Sequence, residues 1–252
     1  MKLFPSLFSA SILLFFGLSA ACSQSGGNTD HVAETDKRIL VYSQTNGYRH
    51  QSIEKGVATL RDLARTAGLS LDHTEDSLQF NPKNLSGYGL VIFLSTTGDV
   101  LGPEQEEAFR GFIRGGGAFM GIHAATDTEY DWPWYGGLVG AWFHSHPEQQ
   151  RARLEVVPPG HPSTAHLGDS WEHFDEWYNF RDIQPGLQVV LRLDESSYQG
   201  GNHGEDHPIA WYREYEGGRS FYTGLGHTEA AYDDPDFQKH LLGGIRFCLG
   251  LP

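Results

Sequence analysis

Three histidines stand where three apolar segments of the sequence end. His50 follows "RILVYS" through "QTNGYRH", His123 follows "AFMGI" directly, and His227 follows "SFYTGLG". In open α/β sheets, ligands bind beyond the carboxyl ends of the strands. A single loop histidine usually bonds the backbone, but three histidines at three predicted strand ends indicate a functional site.

Further side chains could complete such a site. If "FDEWYNF" is one strand, Glu176 and Tyr178 point to the same side of it. His146 lies on the short loop "FHSHPEQ", and His207 begins the predicted strand "HPIAWYREY". Asp127 follows the predicted turn after "AFMGI". These residue types supply imidazole, carboxylate and phenol groups for binding or proton transfer.

Two chemistries fit this set of side chains. Imidazoles with a carboxylate bind a divalent metal such as zinc and can leave a position open for water or substrate. His123, His146 and His227 are then the candidate ligands. Alternatively, a histidine–glutamate pair performs general acid–base catalysis near neutral pH without a metal. The sequence contains no HExxH-type motif, so spacing does not decide between the two.

Tryptophans and tyrosines cluster in the same region of the sequence. Aromatic faces pack against the apolar C–H faces of sugars, while their polar tips bond hydroxyl groups. Trp134 and Trp211 are the tryptophans we select as candidate sugar contacts, although at least half of these aromatics are expected in the core. "DWPWYGG" resembles a turn and is the expected exposed platform or lid.

The elements that must position these residues alternate between strand and helix. "RILVYS", "LSLDHTE", "GLVIFLST" and "AFMGI" are predicted strands, separated by an amphipathic helix over residues 53–67 and a second helix beginning at Pro103. The order β-α-β-β-α-β predicts an α/β fold with a mostly parallel sheet and helices on both faces. The second half, with a hairpin turn at "YEGGRS" and a final helix from Asp234-Pro235, predicts an antiparallel elaboration.

The N-terminal segment is interpreted as a targeting signal. Residues 1–21 combine Lys2, an apolar stretch and "LSAAC", which resembles a bacterial lipoprotein signal with Cys22 as the lipidated residue. The alternative is an ordinary secretory signal. Residues 22–36 then form a flexible tether and residues 37–252 the folded domain. We expect an exported protein, periplasmic or at the cell surface, held to a membrane by its lipid anchor.

Charge and cysteine content exclude several classes. The formal net charge is −14 with no basic run, which argues against binding nucleic acid and is compatible with a neutral sugar. After Cys22 only Cys248 remains, in an apolar C-terminal stretch. The folded part therefore has no disulfide framework, and a cysteine nucleophile is not expected.

Six ordered motifs resemble the ThuA-like family, which is associated with trehalose utilisation. They are "TNGYRHQSI", "GIHAATDT", "SHPEQ", "EWY", "HPIAW" and "FYTGLGHT", and the resemblance extends from about Lys37 to Gly250. The resemblance implies a flavodoxin-like sheet similar to that of class I glutamine amidotransferases. In those enzymes a cysteine stands at the elbow where this chain has His123, and His227-Thr228-Glu229 looks like their later His-x-Glu. Without the thiol nucleophile, amidotransferase chemistry is not expected.

The resemblance implies carbohydrate metabolism, with 3-keto-glycosides as a substrate class. A 3-keto group acidifies the C2 proton, so a base can form an enediolate and expel the anomeric leaving group by elimination, the reaction of a lyase. Water can then add back, giving the net reaction of a hydrolase; an isomerase of sugar derivatives is the other enzyme class considered. A metal or protonated imidazole would stabilise the enolate oxygen. The predicted catalytic residues are His123, His146, Glu176 and His227, and the predicted substrate-binding residues are His50, Asp127, Trp134, Tyr178, His207 and Trp211.

Three alternatives remain open from the sequence. The main one is a non-catalytic sugar-binding lipoprotein at the cell surface. The others are a metal-dependent hydrolase or isomerase acting on an unrelated small molecule, and an interaction module that retains only the fold. Fold class alone does not choose among them.

Overall fold

The computed structural model describes residues 1–4, 38–157 and 160–252. The chain divides into two units, Met1–His31 and Val32–Pro252, and the sheet and helices belong to the second. Apart from residues 1–4, the predicted signal peptide lies outside the described residues, as do Cys22 and the tether. Among the described residues, no helix is long and apolar enough to cross a membrane.

The described residues form eleven strands and five α-helices. The strands are β1 Arg38–Tyr42, β2 Ser70–Thr74, β3 Leu90–Leu94, β4 Ala118–Ile122, β5 Trp142–Ser145, β6 Gln150–Val156, β7 Ser170–Asp175, β8 Asn179–Arg181, β9 Gln188–Leu193, β10 Pro208–Tyr215 and β11 Gly218–Thr223. The helices are α1 Ile53–Thr66, α2 Pro82–Leu85, α3 Pro103–Arg114, α4 Pro133–Val139 and α5 Pro235–Leu249.

Nine of the strands form one sheet in the order β2-β1-β3-β4-β11-β10-β9-β6-β7. The first five in this order pair in parallel, and their arrangement is the 2-1-3-4-5 order of flavodoxin-like folds. Every residue of β3 and β4 is buried, which explains their uninterrupted apolar sequence. The predicted mostly parallel α/β sheet is confirmed.

Helices cover both faces of the parallel half. On one face, α3 and α4 bring Phe109 and Tyr135 against Phe119 of β4, with ring centroids 6.1 and 5.8 Å away. On the other face, Gly244 of α5 lies close against Met120. The predicted helix starts are confirmed. Helix α3 begins at Pro103, and α5 is capped by Asp234, whose carboxylate accepts the N–H of Asp236.

The second half of the chain is antiparallel, as predicted. Strands β10 and β11 form a hairpin whose turn residues, Glu216 and Gly217, have φ of 47° and 99°. Positive φ at both central residues is typical of the hairpin turn that matches strand twist. Strands β9, β6 and β7 extend the sheet, while β5 and β8 pair separately.

Two local predictions are wrong. "FDEWYNF" is interrupted, because β7 ends at Asp175 and β8 starts at Asn179. The Asp175 carboxylate accepts the N–H of Glu176 at 3.0 Å, so a side chain takes the place of a strand partner. "DWPWYGG" is not a turn: its Pro133 opens α4, since proline fits the first helical position.

Glu129 fixes the segment that follows β4. Its side chain is 1% exposed, and Oε1 accepts the N–H groups of Val100 and Leu101, both at 2.8 Å. Burial, followed by a hydrogen bond with Asp99, raises the pKa of Glu129 to about 8. Between the ordinary glutamate pKa and this value, the folded protein retains a proton that the unfolded chain releases. The stability that the protonated Glu129 side chain contributes is therefore lost as the pH rises from the ordinary glutamate pKa to the raised one.

We expect Glu129→Gln to remove this pH dependence. The amide keeps an oxygen for the two N–H groups and carries no proton to release. Urea denaturation at pH 5 and pH 8 should show that the wild type loses more stability than the variant on going to pH 8. All other titrating groups are common to both proteins, so parallel losses would contradict the assignment.

Candidate functional site

His123 occupies a strained elbow directly after β4. Its φ is 52°, a left-handed conformation that costs a non-glycine residue about 1–3 kcal/mol. A 3-10 turn, His123–Thr126, follows at once. The Tyr222 hydroxyl donates to the His123 carbonyl at 2.8 Å, which helps to hold this backbone. The elbow turns the imidazole out beyond the carboxyl end of the sheet.

Four side chains converge beyond this edge of the sheet. His50, His123, Glu176 and His227 each offer one ligand atom, and these atoms lie within 4.8 Å of one another. The tightest part is a triangle. His123 Nε2 is 3.1 Å from His227 Nδ1 and 3.6 Å from Glu176 Oε2, and the last two atoms are 3.1 Å apart. His50, His123 and Glu176 are buried, and His227 is partly exposed.

Hydrogen bonds assign the proton positions on His123. Its Nδ1 lies 3.0 Å from the carbonyl oxygen of Gly224. A carbonyl only accepts, so Nδ1 carries the proton and Nε2 presents its lone pair to the triangle. Only a donor or a metal ion can satisfy that lone pair.

His50 has an unsatisfied nitrogen. Its side chain is 4% exposed, and Nδ1 is buried without a hydrogen-bond partner among the described residues. Burial, then the neighbouring His123 and His227, lowers the pKa of His50 far below the ordinary histidine value. The ring is therefore neutral at physiological pH, which is the form that binds metals.

Glu176 is the negative charge of the cluster. Burial opposes its ionisation, but the neighbouring His123 and His227 imidazoles outweigh this effect and hold the Glu176 pKa below its ordinary value. The second oxygen, Oε1, lies 3.2 Å from His146 Nδ1. The site thus combines three imidazoles, one carboxylate and a fourth imidazole behind that carboxylate.

One turn, residues 224–227, connects the segments that carry the cluster. Asp175, with 0% exposure, accepts the N–H of Gly226 at 2.7 Å and of His227 at 3.0 Å. Ser52, two residues after His50, donates its hydroxyl to the Gly226 carbonyl at 3.0 Å. Gly226 has φ of 108°, a conformation that favours glycine. Asp175 is therefore a positioning residue for the site.

Three further predicted residues lie beside the cluster. The Tyr178 ring packs on His123 with centroids 4.5 Å apart, but Tyr178 is only 3% exposed. The side chain of His146 is 42% exposed. Asp127 accepts the Tyr130 hydroxyl at 2.6 Å, and burial raises its pKa. Tyr178 thus forms a wall, whereas His146 is open to solvent.

The structure does not bring the other three predicted residues to the cluster. His207 is fully buried between Glu195 Oε1 at 2.7 Å and the Tyr178 carbonyl at 2.8 Å, so it supports the backbone of that wall. Trp211 is 1% exposed and bonds the Val139 carbonyl. A buried ring cannot offer its face to a sugar, so these two expectations are corrected.

Trp134 lies at the wrong end of the sheet for a sugar contact. Its indole N–H donates to Glu216 at 2.7 Å. Glu216 precedes β11, whereas His227 follows it. Since a six-residue strand is about 20 Å long, Trp134 and the histidine cluster lie at opposite ends of β11. The proximity of "DWPWYGG" to the motifs in sequence was misleading.

Sequence reasoning missed several residues of the site. Asp175 gave no signal because its role is to accept backbone N–H groups. Gln149 places its amide nitrogen 2.8 Å from His227 Nε2; it is the last residue of the "SHPEQ" motif but was not selected as a site residue. Tyr48, two residues before His50, packs its ring edge-on against that histidine with centroids 4.9 Å apart.

Fold and site together define a flavodoxin-like α/β protein with a histidine at the elbow after its fourth strand. The sequence model of one family, ThuA, described as trehalose utilisation, matches residues 38–248. The chain belongs to the ThuA family, as its six motifs predicted.

Solved structures support the fold. A ThuA-like protein from Bacteroides uniformis superposes with a TM-score of 0.73 at 22% identity, over 88% of this chain and 95% of its own. A second, from Parabacteroides merdae, gives 0.70 at 20% identity, over 85% and 90% of the two chains. A Bacillus circulans β-galactosidase gives 0.54 at 13% identity over 86% of this chain and 32% of its own. These identities show a shared fold alone. No curated protein matches the sequence significantly.

Asp175→Asn should destabilise the protein while leaving the size of the side chain unchanged. The amide group must face one of the two N–H groups, so a buried hydrogen bond is lost at a cost of about 1–3 kcal/mol. We expect this loss in the free energy of unfolding measured with urea. Asp62→Asn, a change at an exposed residue paired with Arg65, is the matched control and should shift stability by less than about 0.5 kcal/mol. Equal effects would contradict the positioning role.

Proposed function

We propose that this ThuA family member is an enzyme that binds a divalent metal ion, zinc first among the candidates, and acts on a neutral 3-keto-glycoside. His50, His123, Glu176 and His227 would hold the ion. The observation that carries the proposal is the triangle of His123 Nε2, His227 Nδ1 and Glu176 Oε2, with sides of 3.1, 3.1 and 3.6 Å.

The dimensions and chemistry of the triangle support a metal. With zinc–ligand bonds of about 2.1 Å, neighbouring atoms of a tetrahedral site lie about 3.4 Å apart. Two histidines and a glutamate form a common catalytic zinc set. His123 is held by the Gly224 carbonyl in the tautomer that a ligand requires. The unpartnered Nδ1 of His50 is a further buried group that an ion could satisfy.

A bound divalent ion would supply Lewis acidity toward a substrate oxygen that becomes negatively charged. The residues of the chain have distinct tasks in the proposed reaction. Glu176 stays ionised and balances positive charge in the site. His146, exposed and 3.2 Å from Glu176 Oε1, would take the C2 proton of a 3-keto sugar or return a proton to the leaving group. Tyr178 and His207 keep the inner wall fixed.

The polarity of the site supports a neutral substrate. The clustered side chains are three imidazoles and one carboxylate. Arg49, the neighbour of His50 in sequence, is engaged with Glu54 at 2.7 Å and Glu75 at 2.9 Å. These ion pairs leave Arg49 less available to a phosphorylated or carboxylated sugar. The family description, trehalose utilisation, also favours an uncharged sugar.

A second candidate is general acid–base catalysis without a metal. Gln149 can donate to His227 Nε2 at 2.8 Å, and Nδ1 of that ring can then donate to Glu176 at 3.1 Å. This network satisfies His227 and Glu176 without an ion. The two candidates differ in metal content. Plain sugar binding without catalysis has lost its support from Trp134 and Trp211, which do not line the cluster.

Metal analysis of the purified protein is the first test. We expect about one equivalent of zinc or another divalent ion, lost in His123→Ala and in His227→Ala. His146→Ala is the control and should keep the ion, because His146 does not belong to the four clustered residues. A wild-type protein that stays metal-free after incubation with added ions would sink the metal proposal in favour of the acid–base candidate.

Turnover of 3-keto-trehalose, with trehalose as the comparison, tests the reaction. We expect the keto sugar to be consumed and trehalose to remain, since only the ketone acidifies the C2 proton. His146→Ala should lower kcat by about 10²–10⁴-fold while retaining the metal, as expected for loss of a proton-transfer group. Unchanged kcat in this variant would exclude His146 from the reaction, and unchanged turnover in His123→Ala would exclude the whole cluster.

A further inference from the structure

Tyr48 is exposed at the mouth of the histidine cluster. Its residue exposure is 63%, the highest of any phenylalanine, tyrosine or tryptophan in residues 38–157 and 160–252. The second most exposed aromatic residue in these ranges is Phe174 at 42%. A single exposed ring is ordinary on a protein surface, but this one contacts His50 of the cluster and is therefore accessible to a ligand bound there.

The position of the ring connects it with the reacting centre. The Tyr48 ring meets His50 edge-on, with centroids 4.9 Å apart and an interplanar angle of 86°. His50 in turn meets His123 at 4.8 Å and His227 at 5.2 Å. Tyr48 therefore contacts one residue of the cluster directly while its own ring remains exposed.

The backbone that carries Tyr48 is held by hydrogen bonds, although the ring is exposed. The N–H of Asn46 donates to the Thr97 carbonyl at 2.8 Å. The Thr97 hydroxyl donates to the Tyr48 carbonyl at 2.9 Å. A rigid backbone with an exposed, two-torsion side chain loses little conformational entropy when a ligand stacks on the ring.

The surroundings of the ring suit a sugar. An aromatic face packs on the apolar C–H face of a pyranose, and a phenol hydroxyl can bond a sugar hydroxyl. No hydrogen bond engages the Tyr48 hydroxyl within the described part of the chain. Polar groups for the remaining hydroxyls are available at the same mouth, since His146 and Gln149 both contact the cluster from exposed positions.

We propose that Tyr48 is the stacking platform for the second ring of a disaccharide whose first ring reacts at His50, His123, Glu176 and His227. The inference rests on the proposed function for the place of the first ring. It assigns the leaving group as a second sugar or another ring of similar size. Tyr48, rather than a tryptophan, then determines the preference for disaccharides over simple alkyl glycosides.

The test compares 3-keto-trehalose with methyl 3-keto-α-glucoside, which lacks the second ring. We expect the wild type to prefer the disaccharide, measured as the ratio of the two kcat/KM values. Tyr48→Ala should reduce this ratio about tenfold, equivalent to about 1.4 kcal/mol of stacking. Tyr48→Phe should keep most of it, because the aromatic face remains. Phe174→Ala, a change at the other exposed ring, is the matched control and should leave the ratio unchanged.

A binding measurement separates failure of the platform from failure of the proposed reaction. Calorimetric titration with unmodified trehalose requires no turnover. If the wild type consumes neither keto sugar but binds trehalose more tightly than Tyr48→Ala does, the reaction is wrong and the platform stands. If Tyr48→Ala keeps the substrate ratio, or lowers both kcat/KM values equally, the platform is overturned. A wild type that neither turns over nor binds these sugars overturns both.

Discussion

The two hydrogen bonds from Gly226 and His227 to the buried carboxylate of Asp175 hold the site together. They fix the turn of residues 224–227, and the carbonyl groups of this turn contact the segments that carry His123 and His50. Its Gly224 carbonyl orients His123, and its Gly226 carbonyl accepts from Ser52 at the start of α1. Asp175 itself precedes Glu176 in the chain. A shift of this turn would therefore displace all four converging side chains together.

The site draws its two kinds of ligand from the two halves of the fold. The parallel half supplies the three imidazoles, because His50, His123 and His227 follow β1, β4 and β11. The antiparallel half supplies the carboxylate, because Glu176 follows β7 at the far end of the sheet order. Although β7 is last in the sheet order, its final residue, Asp175, already contacts the turn that carries His227. Glu176 follows Asp175 directly and so enters the cluster where the strand ends.

Burial sets the chemistry of the cluster. Water is largely excluded from His50, His123 and Glu176, so charge there must be balanced by neighbours. The imidazoles satisfy Glu176 and keep it ionised, while His50 is held neutral. Neutral imidazoles around one carboxylate are suited to a divalent cation or to a moving proton, and unsuited to a covalent thiol mechanism. His123 at the elbow offers an imidazole and not a thiol.

The sequence by itself determined the fold class, the helix starts at Pro103 and Asp234-Pro235, and the meeting of His50, His123 and His227. These depend on local patterns and on one topological rule, that parallel strands end at a common edge. Only the tertiary structure decided which neighbours are exposed. Trp211 and His207 are buried, Trp134 lies at the opposite end of β11, and Asp175, Gln149 and Tyr48 join the site. Exposure depends on packing between segments distant in the chain, which no local pattern encodes.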